Sequence, residues 1–204
     1  MSCEATYCPG CPTKNLGTGD PVGPETHPDD QYILLGEAPG LSETIEGRPF
    51  VGASGLELQR ALDALNIRRD TCHITNTIRC RPPKNDLEAL NIQITRKNRR
   101  QAKKAREDGE QYTPLQKPAE VCRAGLYKEL AATGITRVVC LGKTAAKAIR
   151  GGDFSLMGIR GGCEEIPAPW DPKVTLQVAY TMHPSFVLRY SAYREVFHHD
   201  LRKA

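Results

Sequence analysis

A few polar and aromatic residues at the ends of apolar runs carry the groups that could do chemistry. Glu37 follows Ile33, Leu34 and Leu35 in ILLGEAPG, where Gly36, Pro39 and Gly40 stop the run abruptly. Asn76 interrupts the apolar stretch HITNTI, and its amide offers one acceptor and two donors to a ligand edge. His183 sits in MHPS just after an apolar run, and imidazole is the side chain most easily poised near neutral pH. Phe50 lies in GRPFVG between Pro49 and Val51, with Glu43 and Glu46 upstream and glycines at 47, 52 and 55. A ring held beside carboxylates in such a loop suits a flat heterocycle, the ring stacking while polar groups read its edges. Plainer readings stand beside these. Phe50 can be a lid over the following helix, and Asn76 a strand-end amide satisfying backbone.

The eight cysteines form a second constellation. Cys8 and Cys11 make C-P-G-C; Cys80 follows a strand in IRCRPP and Cys122 opens a helix in EVCRAG, so these last two could face one point. Four thiolates suit Zn²⁺ or a [4Fe–4S] cluster, and spacing alone does not choose between them. Cys80 and Cys122 read equally as core thiols, and Cys3 rivals them as a ligand. Cys140 is expected to be packing, as are Cys72 and Cys163. The chain opens without a basic segment leading into an apolar run, which reads as intracellular and favours ligands or buried thiols over disulfides. LGKTAAK imitates a phosphate loop, but that motif needs a glycine where Arg137 stands.

These residues need a scaffold, and 204 residues suffice for one α/β domain. Apolar runs at 32–36, 72–79, 136–142 and 173–185 predict four strands. The spacing predicts helices at 54–66, 120–134, 143–151 and about 190–203. The alternation implies a mostly parallel four-stranded sheet covered on both faces, and places Glu37 and His183 at its carboxyl edge, where open α/β sheets hold ligands. Residues 1–30 read as an irregular arm. Residues 84–118 read as a polar insertion with a mobile helix at 96–107. TRKNRRQAKKAR (95–106) holds seven Lys and Arg and no acid; without them the net charge of +4 falls to −3. No stretch has the length of a membrane span.

GEAPGLSETIEGRPFVGASG, TNTIRCRPP and HPSFVLR, with cysteines at 8, 11, 80 and 122, resemble the family 4, iron–sulfur uracil-DNA glycosylases over nearly the whole chain except 84–118. The resemblance implies an α/β/α sandwich and a monofunctional hydrolase that cleaves the N-glycosidic bond of uracil flipped out of DNA. It implies a structural [4Fe–4S] cluster on Cys8, Cys11, Cys80 and Cys122. Glu37 and the backbone of Ala38 to Gly40 would line the pocket, with Glu43 as a second carboxylate. Phe50 would stack on the base, Asn76 would read its edge, and His183 would donate toward uracil O2. Glu37 or Glu43 could position water. Val187 or Leu188 would serve as a wedge and Arg189 as a phosphate contact. The cations Arg96, Lys97, Arg99, Arg100, Lys103 and Lys104 would form an arm on DNA. The expected partner is uracil-containing DNA, with no membrane, and the expected state is a monomer.

Two departures matter. Other branches of the superfamily place Asp where this chain has Ala38, and residues 84–121 contain no His, so covalent trapping through an inserted His is not supported. A same-scaffold enzyme for another modified pyrimidine and a non-catalytic iron–sulfur DNA-binding protein are the alternatives. The uracil reading requires Phe50 and His183 to share one cavity.

Overall fold

The computed structural model describes Cys11 and residues 19–203. Its centre is a sheet of five strands, β1 (Tyr32–Gly36), β2 (Cys72–Asn76), β3 (Arg137–Leu141), β4 (Cys163–Ala168) and β5 (Asp171–Thr181), in the order β2-β1-β3-β5-β4. The first four positions in that order are parallel. Alternate residues of β1 enter opposite faces, as a strand's pleat requires. Ile33 and Leu35 meet Leu126 and Leu130 of α4 (Pro118–Thr133) and Ala145 and Ile149 of α5 (Lys143–Arg150). Leu34 faces Leu58 and Leu62 of α2 (Ala53–Ala64), Val187 of α7 (Pro184–Arg189), and Phe197 and Leu201 of α8 (Arg194–Arg202). The result is the expected α/β/α sandwich.

The sheet has one strand more than the apolar runs predict. β4 pairs antiparallel with β5 at the sheet edge. Its sequence, CEEIPA, carries two glutamates and a proline, because an edge strand is half exposed and tolerates Pro. Cys163 is accordingly exposed rather than packed, whereas Cys72 and Cys140 are buried as expected. At the carboxyl edge the expected boundaries shift inward. β2 ends at Asn76 and β5 at Thr181, which frees His183 to cap α7, a helix not expected from the sequence; the expected final helix at about 190–203 is α8.

The basic stretch departs most from expectation. Instead of a loop with a helix at 96–107, α3 spans Leu87–Asp108, 22 residues. Asp86 caps it by accepting the Ala89 N–H at 2.8 Å, and Leu87, Leu90 and Ile94 bury a stripe at helical spacing. That stripe covers only the first half of the helix, which hides it among charges in the sequence. The return segment is fastened by Asn98. Its Nδ2 donates to Leu115 O (2.9 Å), and its Oδ1 accepts from Leu115 N (3.0 Å) and Tyr112 OH (2.7 Å).

Candidate active site

A cleft of about 1490 Å³ opens at the carboxyl ends of the parallel strands. Glu37, Ala38, Gly40, Glu43, Phe50, Asn76 and His183 all line it, although they come from four separate stretches of chain. The sheet accounts for the first meeting. Gly36 and Asn76 are register partners in β1 and β2, and Thr77 N and Ile78 N donate to Gly36 O and Glu37 O at 2.9 Å each. Gly36 forms the floor. A Cβ there would lie 2.4 Å from Asn76 Oδ1 and 2.5 Å from Phe50 Cζ, so no other residue lets amide and ring approach so closely.

Phe50 is held rather than merely buried. Its φ of 52° is left-handed, uncommon for a bulky residue and a sign that the surroundings impose it. Arg69 supplies much of that restraint, donating to Pro49 O (2.8 Å) and Phe50 O (3.3 Å). Glu25 grips the same guanidinium with both oxygens, at 2.8 and 3.0 Å. Burial pushes the Glu25 carboxyl up, but Arg69 and then Arg48 more than offset this and hold it below its ordinary value. The Phe50 and His183 rings lie 5.8 Å apart at 33°, within one cavity.

The orientation of His183 is fixed by its own helix. His183 caps α7, and its Nδ1 accepts from Ser185 N (3.2 Å) and lies 2.8 Å from Ser185 Oγ. A nitrogen accepting a backbone N–H carries no proton, so the neutral ring holds its proton on Nε2. Burial, with the nearby Arg189 charge, pushes the imidazole from 6.5 down to about 4, against a smaller opposing pull from Glu43. His183 Nε2 is buried without a hydrogen-bond partner among the described residues, and so is Asn76 Oδ1. A buried polar atom left unpaired costs about 1–3 kcal/mol. Both residues line one cleft, as does Asn91 of α3, whose Oδ1 is also unpartnered among the described residues, and the pair beside Phe50 marks a place for a polar ligand.

The two carboxylates divide their work. Glu43 is buried in α1 (Leu41–Glu46). Its Oε2 accepts from Gly40 N (3.0 Å), and its Oε1 from Gly52 N (2.7 Å) and Val51 N (3.1 Å). It therefore pins the loop on both sides of Phe50. Glu37 accepts from the Thr144 hydroxyl and faces the cleft.

Of the basic residues singled out in the sequence, Arg96, Arg99 and Arg189 line the cleft. Lys97, Arg100, Lys103 and Lys104 lie off it on α3, and Leu188 is exposed on α7 beside it. Sequence reasoning missed Thr144, Lys143 and Lys147, which belong to the stretch set aside as a false phosphate loop. Their position directly after β3, at the ligand edge of the sheet, was the available signal. It also missed Arg69 and Glu25, which carry no motif.

The thiols fall into two groups. Burial pushes Cys72 up to about 11 and raises Cys140 further, so both stay neutral. Cys11 and Cys80 are buried and Cys122 is half-buried. The chain beside Cys80 is tied to α4. Val22 N donates to Arg79 O (2.8 Å), and Arg79 pairs with Glu129 of α4, whose carboxylate also meets His73 at 3.1 Å. Burial raises the Glu129 carboxyl, but His73 and Arg79 more than offset this, to about 2. Among the described residues no three His, Cys, Asp or Glu side chains form a metal-holding group; Cys8 and Cys3 lie outside them.

The family model of the uracil DNA glycosylase superfamily matches residues 24–202. The chain belongs to this superfamily. Among curated superfamily members, the type-4 uracil-DNA glycosylase of Pyrobaculum aerophilum is 32% identical over 177 residues, covering 83% of this chain and 74% of that protein. Its counterpart in Archaeoglobus fulgidus is 30% identical over 181 residues, 85% and 74% of the two chains. The one in Thermotoga maritima is 29% identical over 200 residues, 97% and 87%. In the superfamily frame, the matched span holds the entire cleft. No described helix is long and apolar enough to cross a membrane.

Proposed function

We propose that this chain hydrolyses the N-glycosidic bond of uracil extruded from DNA, leaving an abasic site. The observation that carries this reading is the pair of unpartnered buried atoms, Asn76 Oδ1 and His183 Nε2, on two residues that line one cleft beside the Phe50 ring. An acceptor and a donor so placed complement a pyrimidine: Asn76 Oδ1 takes the N3–H and His183 Nε2–H donates to O2. Bond cleavage leaves negative charge on the departing base and cationic character on the sugar. A preorganised neutral donor stabilises that charge without having to be protonated. Glu37, oriented by Thr144, is the carboxylate that positions water and favours the cation. Glu43 acts by holding the loop, since three backbone N–H groups already occupy its oxygens. Stacking on Phe50 offsets the cost of flipping, a few kcal/mol. Leu188 is exposed for a wedge role and Arg189 for a phosphate.

A [4Fe–4S] cluster fits the thiols that lie outside the sheet's strands. Cys11, Cys80 and Cys122, with Cys8, would hold it and staple the N-terminal arm to β2 and α4. Anaerobically prepared protein is expected to be brown, with broad visible absorption and iron and sulfide content to match. A colourless protein with stoichiometric zinc overturns the assignment. The chain acts as a monomer, a single domain with α3 as its basic insertion.

The deciding experiment is strand cleavage at the abasic product of oligonucleotides carrying one modified base each. Excision of uracil, lost in His183→Ala and Asn76→Ala, supports the reading. Activity on another pyrimidine alone, or binding without product, overturns it.

A further inference from the structure

We infer that the wall built by α3, α4 and α5 is a track for the phosphates of a single DNA strand leaving the pocket on one side. The inference rests on the reading of the pocket as a uracil site and adds where the flanking strand lies. Six cations line that wall: Arg96 and Arg99 from α3, Lys117 and Arg123 at the start of α4, and Lys143 and Lys147 from α5. None of them pairs with a carboxylate among the described residues. Inward-facing arginines elsewhere do pair, Arg69 with Glu25 and Arg160 with Asp200.

The acids of the same cleft are already engaged by neutral groups. Glu37 accepts from Thr144, Glu43 from three backbone N–H groups, Asp86 from Ala89 N, and Glu120 from Lys117 N at 2.8 Å. Glu88 alone remains. Those acids stay charged but are held away from the cations, and with eight cations against five acids the lining is net positive, which is the condition for exchanging condensed counterions against phosphates.

Shape narrows the partner. The cleft exceeds the ~300–1,000 Å³ that encloses a small ligand, so it holds more than one base. A sunken cationic groove suits one strand, whose backbone can follow the wall while its bases splay; duplex phosphates lie on a convex rod. The wall is also fixed in place. Leu87, Leu90 and Ile94 bury α3, Asn98 fastens its return, and Tyr127 OH ties α4 to Ala148 O of α5 at 2.6 Å. Among the described lining residues two further cations stand outside these three helices, Lys84 just before α3 and Arg189 on α7, so most of the charge lies on one flank and the track runs that way.

The test compares Arg123→Gln/Lys143→Gln/Lys147→Gln with the charge-matched Lys173→Gln/Arg202→Gln/Lys203→Gln, both checked for folding by thermal melting. The first readout is the salt dependence of binding to a uracil-free single-stranded oligonucleotide. At about 0.7 per phosphate, the cleft variant is expected to lose about 2 from the slope of log K against log salt, and the control nothing. The second is the ratio of uracil-excision efficiency on long against short single strands, extended on either flank in turn. The wild-type ratio is expected to reach roughly tenfold for one flank and to collapse toward one in the cleft variant. An unchanged slope overturns the track, as does an equal loss of slope on a duplex of the same length. If the wild type excises no uracil, the pocket reading fails while the slope still decides the track.

Discussion

The pocket and the α3–α4–α5 wall face the same cleft and are built on opposite rules. In the pocket nearly every group is tied down: Arg69 and Glu43 hold the Phe50 loop, Thr144 holds Glu37, and Ser185 sets the His183 tautomer. What is left unpaired is one acceptor and one donor. Along the wall the backbone is fixed, while the charged heads are left without partners. Recognition of a base edge needs donors and acceptors held within a fraction of an ångström. Attraction for a backbone needs only uncompensated charge. The difference teaches that restraint and charge are allotted separately within one cleft.

The sharpest way to break this contrast is to remove a pocket atom. His183→Ala and Asn76→Ala are each expected to lower the excision rate by about 10²–10³, the usual effect of losing one preorganised group at a developing anion. Equal loss on wall variants in single-turnover assays would erase the distinction.

Next comes the restraint itself. Arg69→Ala releases the Phe50 carbonyl and leaves Glu25 with Arg48 and the more distant His27, so excision efficiency is expected to fall roughly tenfold, mostly through KM. Stability is expected to drop by about 3 kcal/mol because a buried pair is broken. Arg69→Lys should recover part of both, and Glu25→Gln, which keeps shape, should give the KM effect with a smaller stability loss. Urea unfolding alongside steady-state kinetics separates the two.

A pH series sharpens the account of His183. Its folded value near 4 lies below the ordinary 6.5, so the unfolded chain takes up the proton first. The stabilisation is full above about 6.5 and is lost as pH falls toward 4. Between pH 7.5 and 4.5, His183→Gln is expected to lose about 2 kcal/mol less than wild type in urea unfolding. Because the donor is neutral throughout the neutral range, the excision rate should show no inflection near 6.5. An inflection that vanishes in His183→Gln would mean the imidazole is not held neutral.

The smallest effect is expected on the outer face of α3. Lys97→Gln/Lys104→Gln, off the cleft, should change binding less than twofold at moderate salt, whereas Arg96→Gln/Arg99→Gln should flatten the salt slope by about 1. Equal effects would make the whole helix, rather than its inner face, the charged element.

Much of the scaffold was legible because apolar residues repeat with the period of the element they build. Ile33–Leu34–Leu35 had to be a strand covered on both faces, and Leu58, Ala61, Leu62 and Leu65 had to be one side of a helix. β4 escaped because an edge strand needs no apolar run, and α3 because its buried stripe covers only half its length. The residues that converge on the cleft were visible as motifs, but their roles were not. Glu43 and Glu37 look alike in the chain; one holds backbone and the other faces the cleft.

What the sequence determined alone is the alternation of strand and helix, the edge of the sheet that bears the site, and the residue types brought there. These follow from local periodicity and turn chemistry, which neighbours along the chain decide. Only the tertiary structure decided which polar atoms remain unpartnered. Whether Nε2 of His183, the amide oxygen of Asn76 or the ammonium of Lys143 finds a partner depends on groups distant in the chain, and hydrogen bonds and charge pairs are satisfied in space rather than in order.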